Sequence, residues 1–180
     1  MKNLMETANA VAVEEGIDEK YAAVTFSSLA SVNFKFLPYS IAEQKFTMIK
    51  YPAGSTNTQA GLAEAMNLFL ESLQGGRFAN DKNVLLITDG QSNVKQRETK
   101  PAADRLKALG VQIYVFAVGS YISGIGEMVQ VAGSSSSSEP DDFLFRIENY
   151  NQMWEFSKLV VKKVASSGKY VSLSPAPSPC

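Results

Sequence analysis

The chain has 180 residues, 45% of them apolar, and carries 17 basic against 18 acidic side chains for a net charge of −1. That describes one domain with an ordinary core and no basic footprint for nucleic acid or an anionic membrane. Histidine is absent and the single cysteine is Cys180, which excludes zinc sites of ordinary ligands, Ser-His-Asp and Cys-His catalysis, and haem or iron–sulfur ligation. The chemistry that remains is that of oxygen, and carboxylates and hydroxyls suit hard cations such as Mg²⁺, Ca²⁺ or Mn²⁺.

Leu4, Ala8 and Val11 recur at spacings of four and three, which predicts an amphipathic helix over Leu4 to Val13 that stops near Gly16. Tyr21 to Ser28 and Ser31 to Tyr39 are β-rich runs across a short turn, with Val32, Phe34 and Phe36 alternating, and read as a hairpin. "IAEQKFTMIKY" is a short helix ending before Pro52. From Asn57 to about Gln74 the stripe Leu62, Met66, Phe69 and Leu73 predicts a second long helix, closed by Gly75 and Gly76. "NVLLIT" is a continuous apolar strand of the kind buried on both faces of a parallel sheet.

"KPAADRLKALG" is helical with Gly110 as its stop, and "VQIYVFAVG" is another buried strand. A short helix near Gly126 to Ala132, a serine-rich loop, the strand "FLFRI" and a last helix with Met153, Phe156, Val160 and Val164 in phase complete the order. Residues 166–180, rich in Ser and Pro, read as a linker or tail in which the Cys180 thiol is exposed. The alternation predicts a doubly wound α/β domain over residues 1–165: a mostly parallel sheet, one antiparallel edge strand, and helices on both faces. No apolar run reaches the ~20 residues that cross a bilayer, and the first residues lack the continuous hydrophobic stretch of a signal peptide.

Ligands in such sheets sit outside the carboxyl ends of the strands, where Asp89 and the Gly54 to Thr58 loop fall. Asp89-Gly90 alone is a common turn pair, and the two threonines flanking Asn57 could simply cap the helix they precede. A carboxylate and a hydroxyl converging at the ends of two loops would instead suit a divalent cation. A glycine-rich dinucleotide motif after a strand and a P-loop are both missing, and with no histidine base an enzyme is not expected.

At these residues the chain resembles the von Willebrand factor type A domain family, the I domain of integrins. "AGSTNTQAGL" is similar to its threonine loop, "NVLLITDGQSN" to its fourth strand and aspartate loop, and "VQIYVFAVG" to its fifth strand. "FLFRIENYNQMWEF" is similar to the strand and helix that close the domain, so the resemblance runs from about Lys2 to Val164. It implies a metal-ion-dependent adhesion site in which the threonine is Thr56 and the aspartate is Asp89. The family's Asp-x-Ser-x-Ser element and the central first strand that carries it have no match in the chain, as in a fragment or a shortened variant. The expectation is therefore a partial site that holds Mg²⁺ or Mn²⁺ weakly, and strands near Tyr21 and Val84 that either flank a gap or close on each other.

The resemblance further implies a non-enzymatic protein-binding module of an extracellular-matrix or cell-surface protein, like those of matrilins and collagens. Its partners would be matrix proteins such as collagen, its location extracellular, and its mechanism capture of a partner carboxylate at the bound cation. The alternative is an intracellular domain of the same family acting as an assembly subunit of a protein complex.

Overall fold

The computed structural model describes residues 2–50, 52–75, 81–119, 124–136, 142–149 and 151–152. Within them α1 (Lys2–Glu15) leads into β1 (Tyr21–Phe26) and β2 (Ala30–Leu37), then α2 (Tyr39–Phe46) and α3 (Thr58–Gln74). They are followed by β3 (Lys82–Thr88), α4 (Thr99–Ala108), β4 (Val111–Val118), α5 (Ile125–Val131) and β5 (Leu144–Ile147). The expected last helix, the tail with Cys180 and the boundary at residue 165 lie outside the described residues.

β1 and β2 pair antiparallel from Tyr21 opposite Leu37 to Phe26 opposite Ala30. β3, β4 and β5 form a separate parallel sheet in that order, with Val84 opposite Ile113 and Phe116 opposite Phe145. Among the described residues no ladder joins the two sheets, so of the two expected arrangements the strands near Tyr21 and Val84 do not close on each other. Side chains join them instead. Phe26 and Phe36 pack into the same core as Leu62 and Phe69 of α3 and Leu86 of β3, and the Phe36 and Phe69 rings lie 5.3 Å apart.

β4 is the buried axis of the parallel sheet, and its alternation sorts the covering helices. Val111, Ile113, Val115 and Ala117 face the cluster that contains Leu62, Ala103, Leu106, Met128 and Val131 from α3, α4 and α5. Phe116 and Val118 face the other way, in a smaller cluster with Ile147 and with Leu4 of α1. Helices thus lie on both faces. β3 departs from the expectation of two-sided burial: Leu86 and Thr88 are buried, while Leu85 is 40% exposed. The reason is its place, since among the described residues β3 ends the sheet with one partner, β4, and a continuous apolar run does not tell a central strand from an edge.

At the start of the hairpin, the Tyr21 hydroxyl bonds to the Glu19 carboxylate and lies 3.2 Å from the Met5 carbonyl, its alternative acceptor on α1. Burial holds the Glu19 carboxyl above the ordinary carboxylate range, outweighing the Tyr21 hydrogen bond that lowers it. A folded-state value above the unfolded value of 4.5 means that the contribution to stability is full below that pH and is lost as pH rises through the folded value. The difference in urea midpoint between wild type and Glu19→Gln is therefore expected to fall as pH is raised from about 4 to about 7. A flat difference would show that Glu19 is solvated.

Candidate functional site

The carboxyl end of β3 is shaped by Thr88, whose hydroxyl donates to the Gly90 carbonyl at 2.8 Å and so braces the turn that carries Asp89. Asp89 is exposed, and among the described residues no hydrogen bond or ion pair reaches its carboxylate. The chain then dives inward at Ser92, which is 0% exposed. Its hydroxyl lies 3.1 Å from the Thr56 carbonyl and 3.0 Å from the Val94 carbonyl, both acceptors.

Thr56 is locked onto this segment by its backbone. Its N–H donates to Asn93 Oδ1 at 2.9 Å, and its carbonyl accepts from the N–H groups of Asn93 at 2.9 Å and Val94 at 3.2 Å. A backbone group taken from water needs a partner, and here both polar groups of Thr56 find theirs on the loop that follows Asp89. The two predicted site residues are thus carried on two loops sewn together.

Asn57 fixes the same loop from the other side. Its N–H donates to the Ser27 carbonyl at 2.8 Å, its Nδ2 to the Ser28 carbonyl at 3.0 Å, and its Oδ1 accepts from Ala60 N–H at 3.2 Å as the N-cap of α3. The capping role foreseen for the threonines belongs to Asn57, because the side chain one residue before the first helical turn reaches its free N–H groups. The Thr58 hydroxyl, inside that turn, is buried and has no partner among the described residues.

Ser92 N–H donates to Glu127 Oε1 at 2.9 Å, bringing the first turn of α5 under the aspartate loop. Gly124, with φ of 83°, packs so closely on Gln91 that a Cβ there would lie 1.9 Å from Gln91 Cβ. Ser92 and Asn93 stand in the quoted stretch "NVLLITDGQSN" without having been singled out. Glu127 had no local signal, since its partner lies 35 residues away.

Asp89 and Thr56 offer a carboxylate and a hydroxyl, hard donors of the kind Mg²⁺ or Mn²⁺ prefers. Among the described residues no group of three or more Asp, Glu, His or Cys is placed to hold a metal. The two residues fit as part of an oxygen shell and do not by themselves complete one. Nor is any described helix long and apolar enough to cross a membrane.

Integrin alpha-D of Homo sapiens is 23% identical over 153 residues, which cover 83% of this chain and 13% of that one. The collagen alpha-1(VI) chain of Gallus gallus is 26% identical over 133 residues, 71% of this chain and 13% of its own length. The chain therefore spans only about an eighth of these relatives. In three dimensions it is similar to proximal thread matrix protein 1 of the mussel byssus with a zinc-occupied MIDAS motif. That match has a TM-score of 0.62 and 21% identity, and covers 89% of this chain and 40% of the other. It is also similar to manganese-loaded Plasmodium vivax TRAP protein, with a TM-score of 0.59 and 19% identity over 87% of this chain and 65% of that one. The sequence profile of the von Willebrand factor type A domain matches residues 1–159, and the chain belongs to that family.

Proposed function

We propose that this domain is a non-enzymatic protein-binding module of an extracellular-matrix or cell-surface protein, with collagen-type matrix proteins as its partner class. The observation that supports it most is the stitching of the Thr56 backbone onto the loop after Asp89, which leaves the Asp89 carboxylate facing solvent at the carboxyl end of β3. A domain built to bind needs such a presented group on a rigid frame. The mussel and Plasmodium structures, with zinc and manganese in their titles, are consistent with a cation-assisted version of that binding. When a divalent cation is bound, the family's chemistry is capture of a partner carboxylate at an open coordination position.

In this chain Thr56 and Asp89 would supply two protein oxygens, and a hard cation held that way keeps most of its water. Cation binding is accordingly weak, and affinity for a protein partner comes mainly from the surrounding surface. Calorimetric titration with Mn²⁺ is expected to give a dissociation constant no tighter than about millimolar. Placing a strand that carries Asp-x-Ser-x-Ser ahead of Lys2 is expected to tighten it, and Asp89→Ala in that longer chain to reverse the gain. Immobilised collagen is expected to retain the unmodified chain with little change on adding EDTA. Micromolar Mn²⁺ binding by the chain as it stands would overturn the weak-site reading, and loss of collagen retention in EDTA would show that the cation dominates.

A further inference from the structure

Glu127 is an odd residue to find against a backbone loop. Its Oε1 takes the Ser92 N–H at 2.9 Å, while its Oε2 is buried and has no partner among the described residues. An unpartnered carboxylate oxygen away from water is costly, so packing alone gives no reason for an acid at this position. The helix that carries it is well anchored. Lys107 Nζ of α4 donates to the Gln130 carbonyl at 3.1 Å and the Ala132 carbonyl at 2.9 Å, and Gly133 bridges to Ile113 of β4. The start of α5 and the Gly124 that precedes it therefore present two fixed contacts to consecutive residues of the site loop: Gly124 against Gln91, and Glu127 against Ser92.

We propose that Glu127 is a positioning residue of the candidate site: its carboxylate holds the Gln91 to Val94 segment in the one conformation that keeps Asp89 beside the Thr56 loop. Among the described residues, the other hydrogen bonds of the segment run to Thr56 or within itself, not to α5. Ser92 spends its hydroxyl on the Thr56 and Val94 carbonyls, and its N–H has Glu127 as its acceptor. A charged acceptor makes that bond stronger than a carbonyl would. With the Ser92 N–H released, the loop would be held to the Thr56 loop alone, through the Asn93 and Val94 N–H groups, Asn93 Oδ1 and the Ser92 hydroxyl, and no longer to α5 by a hydrogen bond. The functional meaning rests on the reading of Asp89 and Thr56 given above, whereas the clamp can be tested without it.

Amide hydrogen exchange in the absence of metal and partner is the test. In the wild-type chain the Ser92 amide is expected to be protected. Glu127→Ala is expected to speed exchange at Ser92, Asn93 and Val94 by about tenfold or more, the effect of losing one charge-assisted bond, while Val115 and Ala117 in β4 stay unchanged. Glu127→Gln, which keeps a carbonyl oxygen for Ser92, is expected to restore protection to within about threefold of wild type. A wild-type Ser92 amide exchanging at the free-chain rate would overturn the proposal, and that measurement stands even if the alanine variant does not fold. So would acceleration spread evenly through β4, or a glutamine variant no better protected than alanine. If the clamp is confirmed and the Mn²⁺ and collagen experiments fail, the function assigned to the loop is wrong and the clamp is not.

Discussion

Leu106→Ala is expected to remove about 2–5 kcal/mol of folding stability. Leu106 is 0% exposed on α4 and belongs to the cluster that joins α3, α4, α5 and the inner face of β4. Truncation there loses the transfer free energy of the missing carbons and leaves a cavity. Two of its neighbours on the same helix, Ala102 and Ala103, are buried and already small, so no longer side chain from α4 can fold into the space. Set against a total stability of about 5–15 kcal/mol for a domain, the loss would be a large share. Leu70→Ala, on the outer side of α3 at 38% exposure, is expected to cost below about 1 kcal/mol. Urea unfolding of the two variants decides it: equal losses would mean that α4 is not packed as described.

Gly61→Leu is expected to cost about 1–3 kcal/mol, although replacing a glycine inside a helix by itself favours the helix by about 1 kcal/mol. A Cβ at residue 61 would lie 2.9 Å from Phe26 Cδ1, 3.0 Å from Cγ and 3.3 Å from Cβ. The last two atoms are not the free end of a side chain, so the strand itself must give way. Overpacking should therefore win over propensity. The proof is a cycle with Phe26→Ala, in which the leucine penalty should shrink because the crowded ring is gone. A penalty unchanged in the Phe26→Ala background would place the strain elsewhere.

Periodicity made much of this fold legible. The stripe Leu62, Met66, Phe69 and Leu73 located α3, and the alternation of Phe34 with Val32 and Phe36 located the hairpin. Asp89 and Thr56 were singled out because their loops resemble family motifs in order, and the structure joins those two loops by hydrogen bonds. What periodicity could not show depends on neighbours distant in the chain. Leu68 is buried although it lies off the stripe, and Gly61 marks a close approach that only the position of Phe26 explains. The run Val84 to Thr88 reads the same in the middle of a sheet as at its edge, so the exposure of Leu85 followed from strand order and not from composition. Glu127 is an acid in a helical first turn that nothing local marks, and its partner is a backbone N–H 35 residues earlier.

The separation of the hairpin from the parallel sheet has a mechanical consequence. A continuous sheet resists pulling through backbone bonds loaded together, whereas two sheets held by side chains of α3 part at a packed face, where contacts yield one after another. Tension between the two halves would therefore open the α3 seam before it unzips β3 from β4. Asn57 sits on that seam, bonded to Ser27 and Ser28 of the hairpin turn, and its neighbour Thr56 is bonded to Asn93 across it. A load on the hairpin would therefore reach the threonine loop directly, through the Asn57 bonds to Ser27 and Ser28, before it reached the core around β4.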